Sequence, residues 1–195
     1  MGSGRNTAGL AVGVGTLLVT ASLARRPLSG TEVAAFTTVN HLPDRPFPMI
    51  WGAMQYGTYG TVPATSGLAL VARHPRLALA LAAGGTAAWV SAKGVKQLIR
   101  RGRPDGLVVA VAVRGTEERG LGFPSGHAAV SAALTVVAWG HVPRRWRPPL
   151  LVLTGIVPLA RMYVGAHLPL DVVGGSGLGV AVGSLVNIAL GTGRR

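Results

Sequence analysis

The chain has no cysteine and very little negative charge. Its 195 residues include six acidic side chains against 19 lysines and arginines, which gives a formal net charge of +13. Without cysteine, neither a disulfide framework nor a thiolate metal site is possible. The carboxylates are also scattered along the sequence, which argues against a two-metal catalytic centre.

Charged and aromatic residues are scarce, at 13% and 5%, whereas hydrophobic residues make up 49% of the chain. With a mean hydropathy of +0.44, this composition is too apolar for an ordinary soluble domain. Positive charge often indicates nucleic-acid binding, but here the arginines cluster between apolar runs, without a basic face interleaved with aromatics. The composition therefore predicts an integral membrane protein without a nucleic-acid partner.

Six apolar stretches of membrane-spanning length recur along the chain. They cover roughly residues 8–24, 48–72, 77–91, 126–142, 150–164 and 168–190. The first could be a cleaved signal peptide, but Leu23-Ala24-Arg25-Arg26 is a poor cleavage site, so we expect a retained helix. The pattern predicts an all-α, polytopic membrane protein, a six-helix transmembrane bundle that forms a single domain over residues 1–195.

Positive charge at the ends of the predicted spans indicates the orientation. With the N-terminus inside, the cytoplasmic face would receive Arg5, Arg73, Arg76, Arg144, Arg145, Arg147, Arg194 and Arg195. In the last span, Gly175, Gly179 and Gly183 lie four residues apart, a spacing typical of close helix packing in lipid. This stripe could be a homodimer contact, but packing within the bundle is the favoured interpretation, and the oligomeric state stays open.

Three short strings contain most of the reactive side chains. They are Lys96 to Arg103-Pro104, then Pro124-Ser125-Gly126-His127, and then Arg161 through His167 to Asp171. The first two share the loop between the third and fourth spans, and the third string lies between the fifth and sixth. Because two spans separate these loops, all three strings emerge on the same face of the membrane in either orientation.

The strings supply three fixed cations, Lys96, Arg103 and Arg161. Each alone could be an interfacial anchor, but guanidinium forks match phosphate oxygens and an ammonium adds a point charge. Lys96 and Arg103 are seven residues apart, so they would share a helical face if the helix continued to Pro104. Together, the cations could neutralise a phosphate and its transition state.

The second string opens the fourth span, where a helix N-terminus offers free N–H groups to an anion. Ser125 can cap this helix, and Gly126 allows a phosphate to approach the backbone. His127 would then point into the site. Taken alone, however, His127 is as compatible with a hydrogen-bonded interfacial histidine.

In the third string, His167 and Asp171 are four residues apart, and Pro169 is tolerated in the first helical turn between them. Asp171 can accept the Nδ1–H of His167, which leaves Nε2 free to attack an electrophile. The alternative is a simple helix N-terminal charge. An acid in an apolar segment is nevertheless a functional candidate by default.

In order and spacing, the strings resemble the three motifs of the type 2 phosphatidic acid phosphatase (PAP2) superfamily, over about residues 8–190. One departure is Ala160, where many members have serine. The resemblance implies that His167 is the nucleophile, that Asp171 orients it, and that His127 protonates the leaving oxygen and then activates water. It also implies that the phosphoryl oxygens are held by Lys96, Arg103, Ser125, Gly126 and Arg161. Neither a metal nor a cofactor is needed.

The expected function is that of a metal-independent bacterial phosphatase that hydrolyses a lipid phosphate or polyprenyl (di)phosphate through a phosphohistidine. We expect it in the plasma membrane, with the site on the extracytoplasmic face. Alternative substrates are phosphatidic acid, phosphatidylglycerol phosphate and a polyprenyl-linked sugar phosphate. Outside this class, the alternatives are a vanadate-binding haloperoxidase, a non-catalytic lipid-phosphate binder and a transporter. We expect the loop of residues 105–123, with Arg114, Glu117, Glu118 and Arg119, to contact the head group.

Overall fold

The computed structural model describes residues 2–116 and 118–192. In these residues eight α-helices form and no strand does, which confirms the all-α prediction. The helices are α1 (Gly2–Ala24), α2 (Gly30–Asn40), α3 (Phe47–Met54), α4 (Thr61–Val71), α5 (Pro75–Ile99), α6 (Gly126–Ala138), α7 (Arg147–Tyr163) and α8 (Pro169–Leu190). Glu117, Arg194 and Arg195, which entered the predictions above, lie outside the described residues.

Five of the six predicted spans coincide with one helix each: α1, α5, α6, α7 and α8. The second is not a single helix, because the turn of residues 55–60 divides it into α3 and α4. In this turn Gly57 lies against α6, and a Cβ added there would be 2.7 Å from the His127 carbonyl oxygen. By length and hydropathy, α1 (from Gly4) and α8 could each cross a membrane, whereas α4 and α6 are shorter apolar helices.

The outer surface of the bundle is apolar. Large side chains that are 59–83% exposed include Val12, Leu18, Leu68, Val71 and Leu79, from three different helices. Exposed apolar surface of this extent is unfavourable in water, whereas lipid solvates it. The exposed side chains therefore favour the membrane as the environment of the bundle.

Helix α8 lies at the centre of the bundle, antiparallel to α1 and parallel to α6. Its predicted glycine stripe faces α6: Gly175 lies against the backbone of Ser125, Gly179 against that of Ala129, and Gly183 against that of Ala133. A methyl group at any of these glycines would meet a carbonyl oxygen of α6 or of its N-cap. The stripe thus packs within the chain, in agreement with the favoured interpretation, and the oligomeric state stays open.

This packing places five helix termini at one end of the bundle. Helices α6 and α8 begin there, while α1, α5 and α7 end there. The short helix α2 lies across the same end, where Phe36 is buried against Met162, Leu168 and Val172. The polar strings of the sequence are attached to these termini.

Candidate active site

The three strings meet at this end of the bundle, as predicted from the two spans that separate their loops. Arg103 from the first string donates through Nη1 to the Ala166 carbonyl of the third string at 2.8 Å. The Ser125 N–H of the second string donates to the Asp171 carbonyl of the third, also at 2.8 Å. Residues that are remote in sequence therefore form one connected site.

Lys96 and Arg103 reach the site from different directions, which corrects the prediction of a shared helical face. Helix α5 ends at Ile99 because Arg100 adopts a left-handed conformation (φ 53°), and the chain then turns away from the helix axis. Lys96 Nζ donates to the carbonyl oxygens of Leu121 (2.7 Å) and Gly122 (2.8 Å). In this structure, Lys96 therefore holds the loop that precedes α6.

The N-terminus of α6 contributes backbone donors to the site. Ser125 is the N-cap residue and is fully buried, and its Oγ accepts from the Ala128 N–H at a long 3.5 Å. The N–H groups of the first helical turn have no intrahelical acceptor. A Cβ built at Gly126 would meet nothing within 4 Å, so the space beside this turn is open to a ligand.

The His167–Asp171 pair is close, but it does not form the predicted hydrogen bond. His167 Nδ1 lies 3.6 Å from Asp171 Oδ2, which is beyond hydrogen-bonding distance. Oδ2 instead accepts the Leu168 N–H at 2.9 Å, and Oδ1 faces Arg101 at 3.1 Å. Helix α8 begins at Pro169 as expected, so these competing bonds, and not a misplaced helix, explain the gap.

Glu118 occupies the space between the two guanidinium groups that were predicted to bind phosphate. Its Oε2 lies 3.0 Å from Arg103 Nη2, and its Oε1 makes a very short contact with Arg161 Nη2. Burial alone would raise the pKa of this carboxyl, but Arg161 and then Arg103 lower the pKa to about 2. A carboxylate thus sits where two arginines converge, as a phosphate would.

Three motif side chains carry buried nitrogen atoms without a hydrogen-bond partner in the described part of the chain. They are Arg103 Nε, Arg161 Nε and His167 Nδ1. A buried polar atom without a partner costs about 1–3 kcal/mol, so three around one point are unusual. Their presence favours a site that serves an anionic ligand over one that serves only packing.

The His167 side chain, in the connection between α7 and α8, is 2% exposed. Burial lowers the pKa of this imidazole well below its ordinary value, and the nearby charges of Arg161, Lys96 and Arg103 lower it further. The ring is therefore neutral near pH 7. A neutral imidazole has the free lone pair that a nucleophile requires.

Arg114, one of the loop residues expected to contact a head group, instead forms hydrogen bonds within the protein. It donates to Asp44 Oδ1 at 2.6 Å and to the carbonyl oxygens of Asn40 and Tyr163, both at 2.7 Å. Its guanidinium also lies over the Tyr163 ring. Arg114 thus ties the loop to α2 and α7, which corrects the prediction for this residue.

Sequence reasoning missed two residues that contact Asp171 or its helix. Arg101 bridges Asp171 and Glu32, and all three side chains are buried. Glu32 also accepts the Leu170 N–H at 3.1 Å, in the first turn of α8. The available signal was weak: Glu32 is one of only six acidic residues, and it stands at the start of a short helix.

Comparison with known proteins identifies the family. Residues 76–194 match the PAP2 superfamily, and the chain belongs to this superfamily. It is 36% identical over 124 residues to the decaprenylphosphoryl-5-phosphoribose phosphatase of Mycobacterium tuberculosis, a match that covers 63% of this chain and 66% of that protein. A protein of the same name from Mycolicibacterium smegmatis is 40% identical over 99 residues, covering 50% of this chain and 51% of the relative. The matches thus span just under two thirds and about half of these relatives.

Two crystal structures share the fold. Aquifex aeolicus LpxE has a TM-score of 0.71 at 19% identity, covering 78% of this chain and 92% of that structure. A transmembrane PAP2-type phosphatidylglycerolphosphate phosphatase from Bacillus subtilis also has a TM-score of 0.71, at 22% identity, covering 91% and 95%. The likeness, together with the apolar outer surface, identifies the chain as a membrane protein with the transmembrane PAP2 fold.

Proposed function

We propose that this protein is a membrane phosphatase that removes the phosphate from a polyprenyl-linked sugar phosphate through a phosphohistidine intermediate. The observation that carries the proposal is the convergence of His167, two guanidinium groups and the α6 N-terminus at one end of an apolar bundle. The substrate class is supported by the two mycobacterial relatives, whose names specify a decaprenyl-linked phosphoribose. A substrate of this kind has its tail in lipid and its phosphate in water, which suits a site at the bundle end.

In the first step, Nε2 of neutral His167 attacks the phosphorus atom. The P–N bond forms as the bond from phosphorus to the sugar oxygen breaks, and His127 gives its proton to that oxygen. Asp171 stabilises the positive charge that develops on the His167 ring. Arg103, Arg161 and the N–H groups at Gly126 hold the phosphoryl oxygens, whose charge is spread in the transition state.

In the second step, water replaces the histidine. His127, now neutral, takes a proton from the attacking water, whose oxygen bonds to phosphorus. The P–N bond breaks, and its electron pair returns to His167 Nε2. Inorganic phosphate leaves, and both imidazoles regain their starting protonation.

Substrate binding requires Glu118 to leave the two arginines. Its carboxylate contacts Arg103 and Arg161, the groups assigned above to the phosphoryl oxygens. Because Glu118 lies in a connecting loop and is 33% exposed, it can move into water without unfolding a helix. The phosphate dianion then replaces a monoanion at the same cations, which favours the exchange.

We further propose that the site faces the extracytoplasmic side of the bacterial plasma membrane. The opposite end of the bundle carries exposed arginines, among them Arg73, Arg76, Arg144 and Arg145. The positive-inside rule assigns such an end to the cytoplasm. A cysteine at Gly106, on the site's side, should then react with a membrane-impermeant maleimide in intact cells, whereas a cysteine at Arg144 should not.

The function is tested by phosphate release from purified protein in detergent with EDTA. The panel comprises a polyprenyl-linked phosphosugar, prenyl diphosphates, phosphatidic acid and phosphatidylglycerol phosphate. We expect release chiefly from the phosphosugar by the wild type and by His74→Ala, a control at the opposite end of the bundle. We expect none from His167→Ala, because this variant lacks the nitrogen atom assigned to form the P–N bond.

Each other outcome contradicts a defined part of the proposal. Turnover that survives in folded His167→Ala would refute the phosphohistidine mechanism. A clear preference for phosphatidylglycerol phosphate or a prenyl diphosphate would leave the mechanism in place and overturn the substrate class. Binding of these lipids without release would identify a non-catalytic lipid-phosphate binder.

A further inference from the structure

Behind His167 and Asp171 lies a buried ion cluster that extends to Arg101 and Glu32. Arg101 Nη1 donates to Asp171 Oδ1 at 3.1 Å and to Glu32 Oε1 at 2.9 Å, while Nη2 donates to Glu32 Oε2 at 2.6 Å. The side chains of Arg101 and Glu32 are each 6% exposed, and that of Asp171 is fully buried. One guanidinium is thus shared by two carboxylates away from water.

The cluster fixes the rotation of the Asp171 carboxylate. Oδ1 is held by Arg101, so Oδ2 is the oxygen that faces His167 Nδ1, 3.6 Å away. A second bond, from the Leu168 N–H to Oδ2 at 2.9 Å, completes the restraint. Without Arg101, the Leu168 N–H would be the one remaining hydrogen-bond donor to this carboxylate among the described residues, and the carboxylate could rotate away from the imidazole.

Glu32 connects this restraint to the rest of the fold. Its Oε1 also accepts the Leu170 N–H at 3.1 Å, which is one of the unpaired donors in the first turn of α8. The Glu32 N–H is itself capped by Ser29 Oγ at 3.2 Å, at the start of α2. Glu32 therefore joins α2, the Arg101 segment and the turn of α8 that carries Asp171.

The net charge of the cluster favours the cationic form of His167 that exists after this residue has attacked phosphorus. Two carboxylates and one guanidinium leave one negative charge beside His167, and burying that charge is tolerable only because the pairing is close. When Nε2 bonds to phosphorus, the imidazole ring becomes cationic and its Nδ1–H faces Asp171. Asp171 thus orients the cationic ring and stabilises its charge without removing its proton.

We propose that Arg101 and Glu32 are positioning residues for the nucleophile, which act through Asp171 and contact no part of the substrate. The inference rests on the proposed function. Arg103, only two residues after Arg101, has the contrasting task, because its guanidinium faces the phosphate side of the site. The two arginines should therefore affect different kinetic constants.

The test measures kcat, KM and the Ki of inorganic phosphate for detergent-purified Arg101→Gln, Glu32→Gln and the control Arg100→Gln. Arg100 is exposed, and among the described residues its guanidinium donates to the Gln97 carbonyl alone, so its variant should match the wild type. By analogy with the partners that orient metal-bound histidines, we expect kcat to fall about 10- to 100-fold in Arg101→Gln and roughly 5-fold in Glu32→Gln. KM and Ki should stay within about 3-fold of wild type, because the phosphate groups are untouched. Arg101→Lys should be intermediate, since an ammonium restores charge without the fork.

Wild-type kcat in folded Arg101→Gln or Glu32→Gln would overturn the inference. A rise in Ki that parallels the loss of kcat would also overturn it, since that pattern indicates general damage to the site. If Arg101→Gln is not monodisperse in detergent, Glu32→Gln decides, because it keeps the shape of the side chain. Turnover in His167→Ala would refute the proposed function itself. An inactive His167→Ala beside a fully active Arg101→Gln would refute the positioning role alone.

Discussion

The two ends of the bundle are both rich in arginine, but they use it differently. At the end that carries α6 and α8 N-termini, Arg101 and Arg161 are 7% and 2% exposed and bind carboxylates. At the other end, Arg73, Arg76 and Arg144 are exposed and make no ion pair within the described residues. Net charge alone does not distinguish these ends, whereas burial and the partners of each guanidinium do.

The difference between the two ends shows that the role of an arginine depends on whether its guanidinium is exposed or buried. An exposed arginine at a membrane boundary is solvated and its main effect is on orientation. A buried arginine needs a partner, and where its partner is a loop carboxylate a ligand can take that place. Substitutions at the site end should therefore reduce activity strongly, while matched substitutions at the other end should not.

The largest effect is expected for Asp171→Asn. The amide keeps the shape but loses the charge that stabilises the cationic His167 ring, so kcat should fall by about 10³- to 10⁴-fold with a smaller change in KM. Steady-state phosphate release measures this. The control is Asp44→Asn, an exposed carboxylate at the same end, which should keep near-normal turnover; equal losses in both would contradict the assignment.

Arg161→Lys should lose about 10²- to 10³-fold in kcat/KM, because a point charge cannot replace a fork that meets two phosphoryl oxygens. The matched variant at the opposite end is Arg144→Lys, for which we expect no loss. Comparable activity of the two variants would remove the distinction between the ends. It would also place Arg161 outside the phosphate site.

Gly122→Ala tests the close approach of the loop to Asp171. A methyl group at Gly122 would lie 2.9 Å from Asp171 Oδ2 and 2.7 Å from the Gly102 carbonyl oxygen. Overpacking of this kind costs about 1–3 kcal/mol, and we expect a lower melting temperature in detergent together with a loss of turnover. Gly106→Ala, where nothing lies within 4 Å, is the control and should change neither.

The smallest effect is expected for Glu118→Gln, and it has the opposite sign. Removing the charge that competes with phosphate should lower KM roughly 5-fold, equivalent to about 1 kcal/mol. Since the pKa of Glu118 is about 2, the wild-type carboxylate stays ionised at neutral pH and loses its pairing only as the pH falls toward 2. The difference in KM should therefore persist from about pH 5 to about pH 8; a raised KM would show that Glu118 helps to hold the substrate.

Much of the site could be predicted because its parts are local patterns. A few neighbouring residues determine the spacing of His167 and Asp171 and the start of a helix at Ser125. Because two spans separate the two loops, these residues are also predicted to lie on the same face of the membrane. The partners of Arg101 are 69 and 70 residues away, and Arg161 meets Glu118 across 43 residues. No local periodicity reports such pairings, so Glu32, Arg101 and the position of Glu118 appear only in the folded chain.

The fold was harder to predict where tertiary contacts override local preference. The stretch of residues 48–72 is apolar enough for one helix, but the chain turns at Gly57 to pass the α6 backbone. Helix α5 could have continued to Pro104, yet it ends at Ile99, where Arg100 takes a left-handed conformation. The boundary at Gly57 depends on the helix that packs against it, which the sequence pattern does not contain, and no local residue pattern announces the left-handed conformation of Arg100.

The glycine stripe of α8 has a mechanical consequence. Because Gly175, Gly179 and Gly183 bring the backbones of α6 and α8 into direct contact, sliding or rotation of one helix against the other would cause backbone clashes. His127 and Asp171 therefore lie on one rigid helix pair, which the hydrogen bond from the Ser125 N–H to the Asp171 carbonyl connects further. Any opening for a lipid head group must come from the segments around this pair, namely the loop that carries Glu118 and the short helix α2.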